Sequence, residues 1–586
     1  MCARWRFRPM DHQQVRQIQS DLDCSHLLAQ CLVSRGLSNT ESVKEFLATR
    51  LGDLHDPGLL PGIEPAVERL LKAIEDKEPI LIYGDYDVDG VTATSILWHC
   101  LKLSNANVDY FIPCRFEDGY GLNCDVIKRY AEEEQKPLIV TVDCGITSLQ
   151  EAELAKQLGI DLIITDHHNM KEELPDAFSL IHPRLPGSEY PFGELCGAGV
   201  AFKLAWALCQ KLGDGKKASP RMREFLISAM TLAMIGTISD VVPLVGENRI
   251  LVKHGLKGLE NQSSIGLKQL MSVAGLDRKG PFVSDDIGFA LGPRINAAGR
   301  LGQARLAVEL LTTDSEERAR QLAEYLNELN KQRQSVERKI LKQAKELVEQ
   351  HLEWLEQPAL VLAHEEWHGG VIGIVANRVA EHFQRPTILI TMETKNKVGQ
   401  GSGRRFGEVN LYNALQECQD LLIRCGGHAA AVGLQVSADR IDAFREKFCQ
   451  AVGSQQPEEI PEVDLTIDAE VTFQQLTLKA IRELDLIGPF GAENRKPVFA
   501  STEIQLAEPP KRIGGGERHL SVKFKQYNRV IRAVAFGKGD WAEGLEAAEG
   551  PIQISYSPNI NRFRGYESVE IQLIDWQAEV PQEASA

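Results

Sequence analysis

The segment YGDYDVDG, residues 83–90, closes the apolar run Ile80–Tyr83 and places three carboxylates within five residues. These carboxylates belong to Asp85, Asp87 and Asp89, and a stretch of helical character follows them, which predicts a strand-to-helix turn. Collecting that much negative charge in a folded protein is costly unless cations neutralise it. The segment therefore predicts a cation site, although acidic loops also occur as calcium sites or solvated turns.

An EF-hand calcium loop is one alternative for this D-x-D-x-D-G pattern. Such a loop carries a glutamate at its twelfth position. Counted from Asp85, the twelfth residue is Ile96, so the EF-hand interpretation fails.

Short apolar runs alternate with helical stretches from residue 79 to residue 183. This alternation predicts an α/β fold with a doubly wound parallel sheet. Ligands of such sheets bind outside the carboxyl ends of the strands, so the residues that follow each run are functional candidates. The runs predict five strands: Ile80–Tyr83, Val108–Ile112, Leu138–Val142, Leu162–Thr165 and Ser179–Ile181.

Aspartate and histidine residues directly follow several of these predicted strands. Asp143 follows the third run and His167 follows the fourth. Asp240 ends the uncharged stretch 225–239, whose fifteen residues predict a buried helix, because a membrane span needs roughly 18. Mixed oxygen and imidazole donors favour Mn²⁺, with Mg²⁺ or Zn²⁺ less favoured. The predicted metal ligands are Asp87, Asp89, Asp143, His167 and Asp240.

With one carboxylate shared, these ligands would hold two divalent cations about 4 Å apart. That spacing clamps both the attacking and the leaving oxygen in phosphoester hydrolysis. The pattern therefore predicts metal-dependent hydrolysis that requires no serine or cysteine nucleophile.

The length of 586 residues predicts three or four domains. Residues 314–357 contain no Gly or Pro and carry leucines at near-helical spacing, which predicts a long connecting helix. Short alternating runs near the C-terminus predict a small β-barrel. The expected division is an N-terminal segment 1–56, a sheet domain 57–313, the connecting helix 314–357, a second α/β domain 358–455 and a barrel domain 460–576.

Composition excludes several classes of protein. With 43% hydrophobic and 25% charged residues, the chain is a soluble globular protein and not a collagen, a coiled-coil rod or a disordered chain. A net charge of −17 argues against adhesion to polyanions through bulk charge, so a phosphate site must be local. The twelve cysteines form no C-x-x-C pair and no apolar signal segment follows the first ten residues, which predicts a cytoplasmic protein without a membrane partner.

A basic stretch between residues 511 and 532 contrasts with this acidic chain. Phe524 and Tyr527 are interleaved with the basic side chains. Oligonucleotide-binding (OB) barrels stack bases on aromatic rings and track phosphates with cations, so the stretch predicts single-strand binding; a solvated charged face is the alternative. Against the single acid Glu517 stand Lys511, Arg512, Arg518, Lys523, Lys525, Arg529 and Arg532.

Eight motifs in a fixed order resemble the DHH phosphoesterase superfamily, named for the triad at residues 166–168, and within it the RecJ-type nucleases. The first four are YGDYDVDG at 83–90, RFEDGYGL at 115–122, TVDCGI at 141–146 and TDHH at 165–168. The others are SDVVPL at 239–244, GPRINAAGR at 292–300, GSGR at 401–404 and GGHAAAVGL at 426–434. The resemblance identifies the second α/β domain as DHH-associated and the barrel as OB-like.

The resemblance implies an exonuclease that hydrolyses single-stranded DNA from its 5′ end, releases 5′-mononucleotides with Mn²⁺ or Mg²⁺, and serves DNA repair and recombination. By this likeness Asp87 and Asp143 would hold one ion, and Asp143 would bridge to a second. Asp89, His167 and Asp240 would complete that second site. Asp85 and His168 would be catalytic, as supporting residues near the metals or the scissile phosphate.

The resemblance also implies a cleft that grips the 5′-terminal phosphate. The glycines of the GSGR segment, expected to form a turn, would let backbone N–H groups approach an anion, and Arg404 offers two parallel hydrogen bonds. A single arginine in a sequence is usually only a surface charge. These arginines are assigned to phosphate binding because they lie in motifs of the family. Arg115, Ser402 and Arg404 are the phosphate candidates, and Arg294, Arg300, Arg378 and His428 are expected to line the same cleft.

Two alternatives remain open at this point. One is a DHH phosphodiesterase of short oligonucleotides or cyclic dinucleotides, although such enzymes look smaller and lack the barrel. The other is a non-catalytic single-strand-binding replication protein, whose hallmark would be loss of the metal ligands. The expected partner is single-stranded DNA, bound by a monomer; a helicase and a single-strand-binding protein are further partners that the sequence leaves open.

Overall fold

The computed structural model describes residues 4–114, 118–119, 121–215, 217–261, 264–277, 281–393, 397–455 and 464–578. Its first elements are a strand and three helices, and the helices pack into the hydrophobic core of the C-terminal barrel. Strand β1 pairs in parallel with strand β12 (Asp464–Ile467), which places Arg4 opposite Asp464. The N-terminal segment, to which the sequence assigns no role, thus completes the barrel domain. The elements are β1 (Arg4–Phe7), α1 (His12–Leu22), α2 (His26–Ser34) and α3 (Thr40–Ala48).

The next region forms a five-stranded parallel sheet with strand order β3-β2-β4-β5-β6. Its strands are almost wholly apolar because helices cover both faces. This doubly wound sheet confirms the predicted fold, and its order reverses between β2 and β4. The elements are α4 (Ile63–Glu75), β2 (Ile80–Gly84), α5 (Val88–Leu103), β3 (Val108–Phe111), α6 (Cys124–Ala131), β4 (Leu138–Val142), α7 (Leu149–Gln157), β5 (Leu162–Thr165) and β6 (Ser179–Ile181).

A helical subdomain follows the sheet. Helix α9 is the apolar run seen in the sequence, and it packs against α5, α8 and α10. In the described part of the chain, one helix meets the length and composition of a membrane span; it is α9, and half of its most apolar window is buried within the protein. The elements are α8 (Gly197–Lys211), α9 (Pro220–Ser239), α10 (Gly246–Asn261), α11 (Ile265–Val273), α12 (Ser284–Asp286), a π-helical turn (Ile287–Leu291), α13 (Gly292–Arg300) and α14 (Ala304–Thr312).

The predicted connecting helix is α15 (Glu316–Gln350), followed by the short 3₁₀ helix Leu352–Glu356. Its first half packs on the sheet domain through Leu322 and Leu326. Its second half packs on the second α/β domain through Ile340 and Val348. One rigid element therefore joins the two domains.

The second α/β domain contains a five-stranded sheet of order β10-β11-β9-β8-β7. The GSGR segment lies within strand β9, so the expectation of a turn is wrong. Its glycines allow close packing of the sheet, since a Cβ on Gly403 would lie 2.6 Å from Cγ2 of Val432. The elements are β7 (Leu360–His364), α16 (Gly369–Phe383), β8 (Thr387–Glu393), β9 (Val398–Arg404), α17 (Leu411–Glu417), β10 (Leu422–Gly427), β11 (Ala431–Ser437) and α18 (Ile441–Gly453).

The C-terminal region is a barrel closed by the pairing of β14 with β16. The ring runs β14-β18-β19-β17-β16, as predicted for an OB-like fold. The elements are β12 (Asp464–Ile467), β13 (Ala469–Glu470), α19 (Leu478–Leu484), β14 (Phe499–Leu506), β15 (Lys511–Ile513), β16 (His519–Gln526), β17 (Arg529–Ala535), α20 (Trp541–Glu546), β18 (Ile552–Phe563) and β19 (Tyr566–Ala578).

A buried arginine fastens this barrel domain to the helical subdomain. The Arg249 guanidinium, on α10, donates to the carbonyl oxygens of Leu486, at 3.0 Å, and of Ile487. It also covers the ring of Phe46 on α3, with its Cζ atom 4.1 Å from the ring centroid. A single side chain of the helical subdomain thus contacts both the N-terminal helices and the C-terminal region.

Candidate metal centre and nucleic-acid interface

The acidic turn lies at the reversal point of the parallel sheet, where β2 and β4 end side by side. Asp87 caps helix α5, because its Oδ1 accepts hydrogen bonds from the backbone N–H groups of Asp89, at 2.8 Å, and Gly90, at 3.1 Å. The cap fixes the turn that presents all three acids to the sheet edge.

The Asp89 carboxylate is held by the N-terminus of helix α8. It accepts hydrogen bonds from the backbone N–H groups of Gly197, at 2.6 Å, and Ala198, at 2.9 Å. Glycines make this approach possible: a Cβ on Gly197 would lie 2.4 Å from Oδ1 of Asp143, and one on Gly236 would lie 2.5 Å from Oδ1 of Asp89. Sequence reasoning missed both glycines; the GAG segment at 197–199 was an available signal for Gly197 only.

Asp143 follows β4 in a left-handed backbone conformation, with φ of 63°. Such a conformation is unfavourable for a non-glycine residue and is concentrated at functional sites. The side chain is buried, and its Oδ1 atom makes no hydrogen bond. A buried carboxylate oxygen in this state is costly unless a cation contacts it.

The imidazole of His167 faces three carboxylates at once. Its Nε2 atom lies 3.2 Å from Asp143, 3.6 Å from Asp240 and 3.7 Å from Asp89, and it makes no hydrogen bond. Burial lowers the pKa of His167 to about 4, so the ring is neutral and offers a lone pair. Neutral imidazole is the form that binds metals.

Protons compete for the same carboxylates when no cation is bound. Burial, followed by the charge of Asp89, raises the pKa of Asp240 to about 8 and that of Asp143 well above its usual range. Burial and the same neighbour also raise the pKa of Asp87. The three shifts share two causes, of which burial is the larger and repulsion between the carboxylates the smaller.

The donor atoms form groups that fit divalent cations. Each group has its donors within 4.8 Å of one another. Asp143 belongs to two of the three groups found among the described residues, one with Asp85 and Asp87 and one with His167 and His168, as expected of a bridging ligand. Asp85 joins the first group as a donor, whereas the resemblance gave it only a supporting role. The two principal groups are Asp85, Asp87 and Asp143, and Asp89, His167 and Asp240.

Asp166 orients the second histidine of the triad. Its Oδ1 atom lies 2.7 Å from Nδ1 of His168, and its other oxygen accepts from the backbone N–H of Ile146 at 2.9 Å. Burial raises the pKa of Asp166, but the hydrogen bond and positive charge of His168, together with backbone hydrogen bonds, outweigh burial and lower the pKa to about 2. Burial lowers the pKa of His168, but the hydrogen bond and negative charge of Asp166, together with the charges of Asp240 and Asp85, outweigh burial and raise the pKa to about 9.

Two further residues hold the backbone of the triad in place. The Nη2 atom of Arg184 donates to the carbonyl oxygen of His167 at 2.6 Å, and Nε2 of His182 lies 2.8 Å from the carbonyl oxygen of His168. Sequence reasoning did not single out Asp166, His182 or Arg184. Their roles depend on contacts between chain segments, although the triad itself pointed to Asp166.

The second α/β domain faces this centre. Ser402 and Arg404 lie side by side on β9, with Nη1 of Arg404 donating to Oγ of Ser402 at 3.1 Å. Burial, then the positive charges of Arg404 and other neighbours including His168, lower the pKa of His428. The charge of His168 therefore affects His428 across the cleft. A hydrogen bond also joins the two domains, because Nη1 of Arg300 donates to the carbonyl oxygen of Gly370 at 3.2 Å.

Other predicted cleft residues are engaged elsewhere. Arg294 donates to Oδ1 of Asn327 on the connecting helix at 3.0 Å and to the carbonyl oxygen of Ala290 at 2.7 Å. Arg378 forms an ion pair with buried Glu337 at 2.7 Å. These contacts favour structural roles over DNA binding, while Arg115 lies outside the described residues.

The barrel corrects one predicted DNA contact. Phe524 is fully buried in the barrel core, because alternation along β16 turns it inward while Lys523 and Lys525 point outward. It is not available to stack on a base. Tyr527, in contrast, is 56% exposed.

Nearby acids offset part of the positive charge on the barrel. Lys511 and Lys523 pair with Glu508, and Arg512 pairs with Glu543 at 2.6 Å. Arg518 donates to a backbone carbonyl of its own loop. The net positive charge on this surface is therefore smaller than the number of basic residues between 511 and 532 suggests.

Comparison with known families divides the chain in the same order as the structure. The model described as the DHH family, N-terminal domain, matches residues 79–237. The DHHA1 domain matches residues 356–454, and the RecJ OB domain matches residues 467–575.

Relatives with the same architecture cover nearly the whole chain. The single-stranded-DNA-specific exonuclease RecJ of Bacillus subtilis is 37% identical over 98% of this chain and 70% of its own length. The exonuclease of the same name from Dickeya dadantii is 35% identical over 93% of this chain and 95% of its own length. The solved structure of RecJ in complex with Mn²⁺ from Thermus thermophilus superposes with a TM-score of 0.81 at 30% identity, covering 98% of this chain and 80% of that one. The chain belongs to the RecJ family of the DHH superfamily.

Proposed function

We propose that this protein is a single-stranded-DNA-specific exonuclease that hydrolyses phosphodiester bonds in the 5′-to-3′ direction and releases 5′-mononucleotides. The observation that carries the proposal is the convergence of Asp89, Asp143, His167 and Asp240 on one buried point, in a chain of the RecJ family. An exonuclease of this kind acts in DNA repair and recombination.

Two divalent cations, Mn²⁺ or Mg²⁺, suit the donor set. Asp87 and Asp143, joined by Asp85, would hold one, and the group around His167 would hold the other, with Asp143 shared. Bound cations would lower the pKa of water and stabilise the attacking and leaving oxygens of the phosphodiester. Relatives solved with Mn²⁺ and with Mg²⁺ support both ions as candidates.

His168 supplies positive charge at the edge of the centre. Its ring is held by Asp166, and the raised pKa of about 9 keeps it protonated at neutral pH. A cationic imidazole in this position donates a hydrogen bond to a non-bridging phosphate oxygen and orients the scissile group.

The second α/β domain would bind the 5′ end of the strand. Ser402 and Arg404 offer a hydroxyl and a guanidinium side by side, and His428 is close enough to sense the charge of His168. A terminal phosphate gripped there would fix the distance from the 5′ end to the metal centre. That fixed distance explains release of one nucleotide at a time.

The barrel domain would guide the strand toward this cleft, through Tyr527 and the outward lysines of β16. The proposed domain division is unchanged, except that the N-terminal segment belongs to the barrel domain.

A helicase that supplies single strands and a single-strand-binding protein that covers them are partners suited to this activity. That the protein is cytoplasmic and monomeric is likewise a prediction.

Timed digestion of end-labelled strands tests the proposal. Single strands labelled at the 5′ end should release labelled mononucleotide first with Mn²⁺ or Mg²⁺, and chelator should stop release. Earlier release of a 3′ label would contradict the polarity. Digestion limited to dinucleotides would favour a short-oligonucleotide phosphodiesterase, and absence of cation binding in calorimetry would favour a non-catalytic binding protein.

A further inference from the structure

A cavity of about 290 Å³ opens at the junction of the catalytic region and the barrel domain. Its walls come from the end of α9, from the π-helical turn with α13, and from the segment 490–492. Ser239 and Val241 both line it, and they flank the predicted metal ligand Asp240 in the chain. The cavity therefore lies beside the chain segment that carries Asp240, between the end of α9 and the segment 490–492.

The walls suit a flat apolar ligand. Phe289 projects from the π-helical turn with 82% of its surface exposed, and Phe490 lines the opposite segment. π-helical turns are frequent at functional sites, and Phe289 and Phe490 give this cavity two aromatic side chains. The volume lies near the lower end of the range of ligand pockets, about 300 to 1,000 Å³, and is suited to one base.

Two serine hydroxyl groups at the cavity have no hydrogen-bond partner among the described residues. The Oγ atoms of Ser239 and Ser284 are buried and make no hydrogen bond, although both residues line the cavity. A buried hydroxyl without a partner is costly, and an occupant with polar edges would relieve that cost. A hydroxyl both donates and accepts, so it tolerates any base and does not impose a sequence.

The domains are fastened together around the cavity. The backbone N–H of Leu244 donates to the carbonyl oxygen of Ala492 at 2.9 Å, and Lys496 pairs with Asp285 at 2.6 Å. Leu244, Ala492 and Asp285 line the cavity, and Lys496 neutralises the acid that would repel a phosphate. A strand passing from the barrel to the metal centre would meet this junction.

We infer that this cavity binds one unstacked nucleobase of the single-stranded substrate beside the metal centre, with Phe289 as the stacking platform. The inference rests on the proposed function, because it requires a strand whose phosphate lies at the metal centre. It adds a base contact to the proposed phosphate contacts. Ser239 and Ser284 would bond the edge of the base, and Phe490 would contact its apolar face.

Strand binding by the full-length protein tests the inference in an Asp143→Asn background, which removes the shared ligand and prevents hydrolysis. Affinities are measured for 5′-phosphorylated single strands that are intact or carry one abasic site at successive positions from the 5′ end. Phe289→Ala should weaken binding of the intact strand about tenfold, as expected for loss of one stacked base. Phe289→Trp should preserve binding.

Coupling between protein and strand identifies the occupant. At one position near the 5′ end, an abasic site should weaken binding as much as Phe289→Ala does, and the two changes together should cost no more than either alone. Additive losses at every position, or unchanged affinity in Phe289→Ala, would overturn the inference. Phe289-dependent binding of free deoxynucleoside monophosphate without this coupling would also overturn it, since the cavity would then be a product site.

Phe178→Ala is the matched control. Phe178 is also an exposed aromatic residue of the sheet domain, but it precedes β6 at the amino-terminal edge of the sheet, opposite the metal centre. It should leave strand binding unchanged. Digestion by the protein with Asp143 intact, measured separately, reports on the proposed function alone, so failure of one idea is distinguishable from failure of the other.

Discussion

The Nε2 atom of His167 and the Oδ1 atom of Asp143 lie 3.2 Å apart in the protein interior, and neither makes a hydrogen bond. Two electron-rich atoms so close together are stable only with a proton or a cation nearby. Residues from two different strand ends supply them, so the fold itself creates this requirement.

Asp143→Ala removes the carboxylate that we propose as the bridge between the two cations. We expect hydrolysis to fall at least about a hundredfold, because several kcal/mol of transition-state stabilisation depend on the cations. Strand binding should be nearly unchanged, as measured by fluorescence anisotropy. Asp125→Ala, at an exposed acid on α6, is the control and should retain full activity. Retained activity in Asp143→Ala would contradict the two-cation assignment.

Cation affinity should rise with pH up to about pH 8. The pKa of Asp240 is raised to about 8 in the cation-free site, so below that pH a cation must displace its proton. Affinity for Mn²⁺ should therefore fall about tenfold for each unit of pH lost per displaced proton. His167, with a pKa of about 4, is already neutral and adds no such dependence near pH 7. Calorimetry in buffers of different ionisation enthalpy measures the released protons, and an affinity independent of pH would refute this account.

Asp166→Asn should shift the alkaline limit of activity. The hydrogen bond from His168 to Asp166 holds the histidine pKa near 9, so the native protein keeps a cationic ring up to about that pH. An amide carries no charge, and the pKa of His168 should fall toward its ordinary value, which moves the loss of activity to lower pH. The pH profile of kcat/KM measures the shift. An unchanged alkaline limb would show that the charge of His168 is not required.

Arg249→Ala should destabilise the attachment of the barrel domain. It leaves the carbonyl groups of Leu486 and Ile487 without a donor and exposes the ring of Phe46. The expected loss in the free energy of unfolding is about 2–4 kcal/mol, measured by denaturant titration. Faster proteolysis between the domains should accompany it.

Arg320→Ala is the control for this experiment. Its ion pairs with Glu317 and Glu324 are exposed and screened by water, so the stability should be nearly unchanged. Equal stability losses in the two variants would contradict the role of Arg249 as a fastening residue.

Phe524 and Tyr527 should respond to substitution in opposite ways. Phe524→Ala opens a cavity in the barrel core and should cost about 3–5 kcal/mol of stability. Tyr527→Ala should leave stability nearly unchanged but weaken single-strand binding severalfold, because an exposed ring that stacks on a base is lost. Thermal unfolding and strand titration measure the two effects, and weaker DNA binding by a fully stable Phe524→Ala would reverse the assignment.

The sheet, and the meeting of the candidate metal ligands at its edge, could be predicted because each depends on local sequence. Asp143 and His167 directly follow apolar runs, and parallel strands bring their carboxyl ends to one edge. Arg294 could not be assigned this way, because its partner Asn327 lies on another helix. The error at Phe524 was avoidable, since alternation with Lys523 and Lys525 already placed the ring on the opposite face.

The pairing of β1 with β12 joins the two ends of the chain in one domain core. The ribosome makes these ends at opposite times, and translation adds roughly 5 to 20 residues per second. The apolar faces of α1 to α3 therefore wait tens of seconds for the strands that cover them, while the catalytic sheet between them folds. The barrel core can close only after its C-terminal strands have been synthesised, and a ribosome that stalls before them releases a sheet domain whose leading helices have no partner.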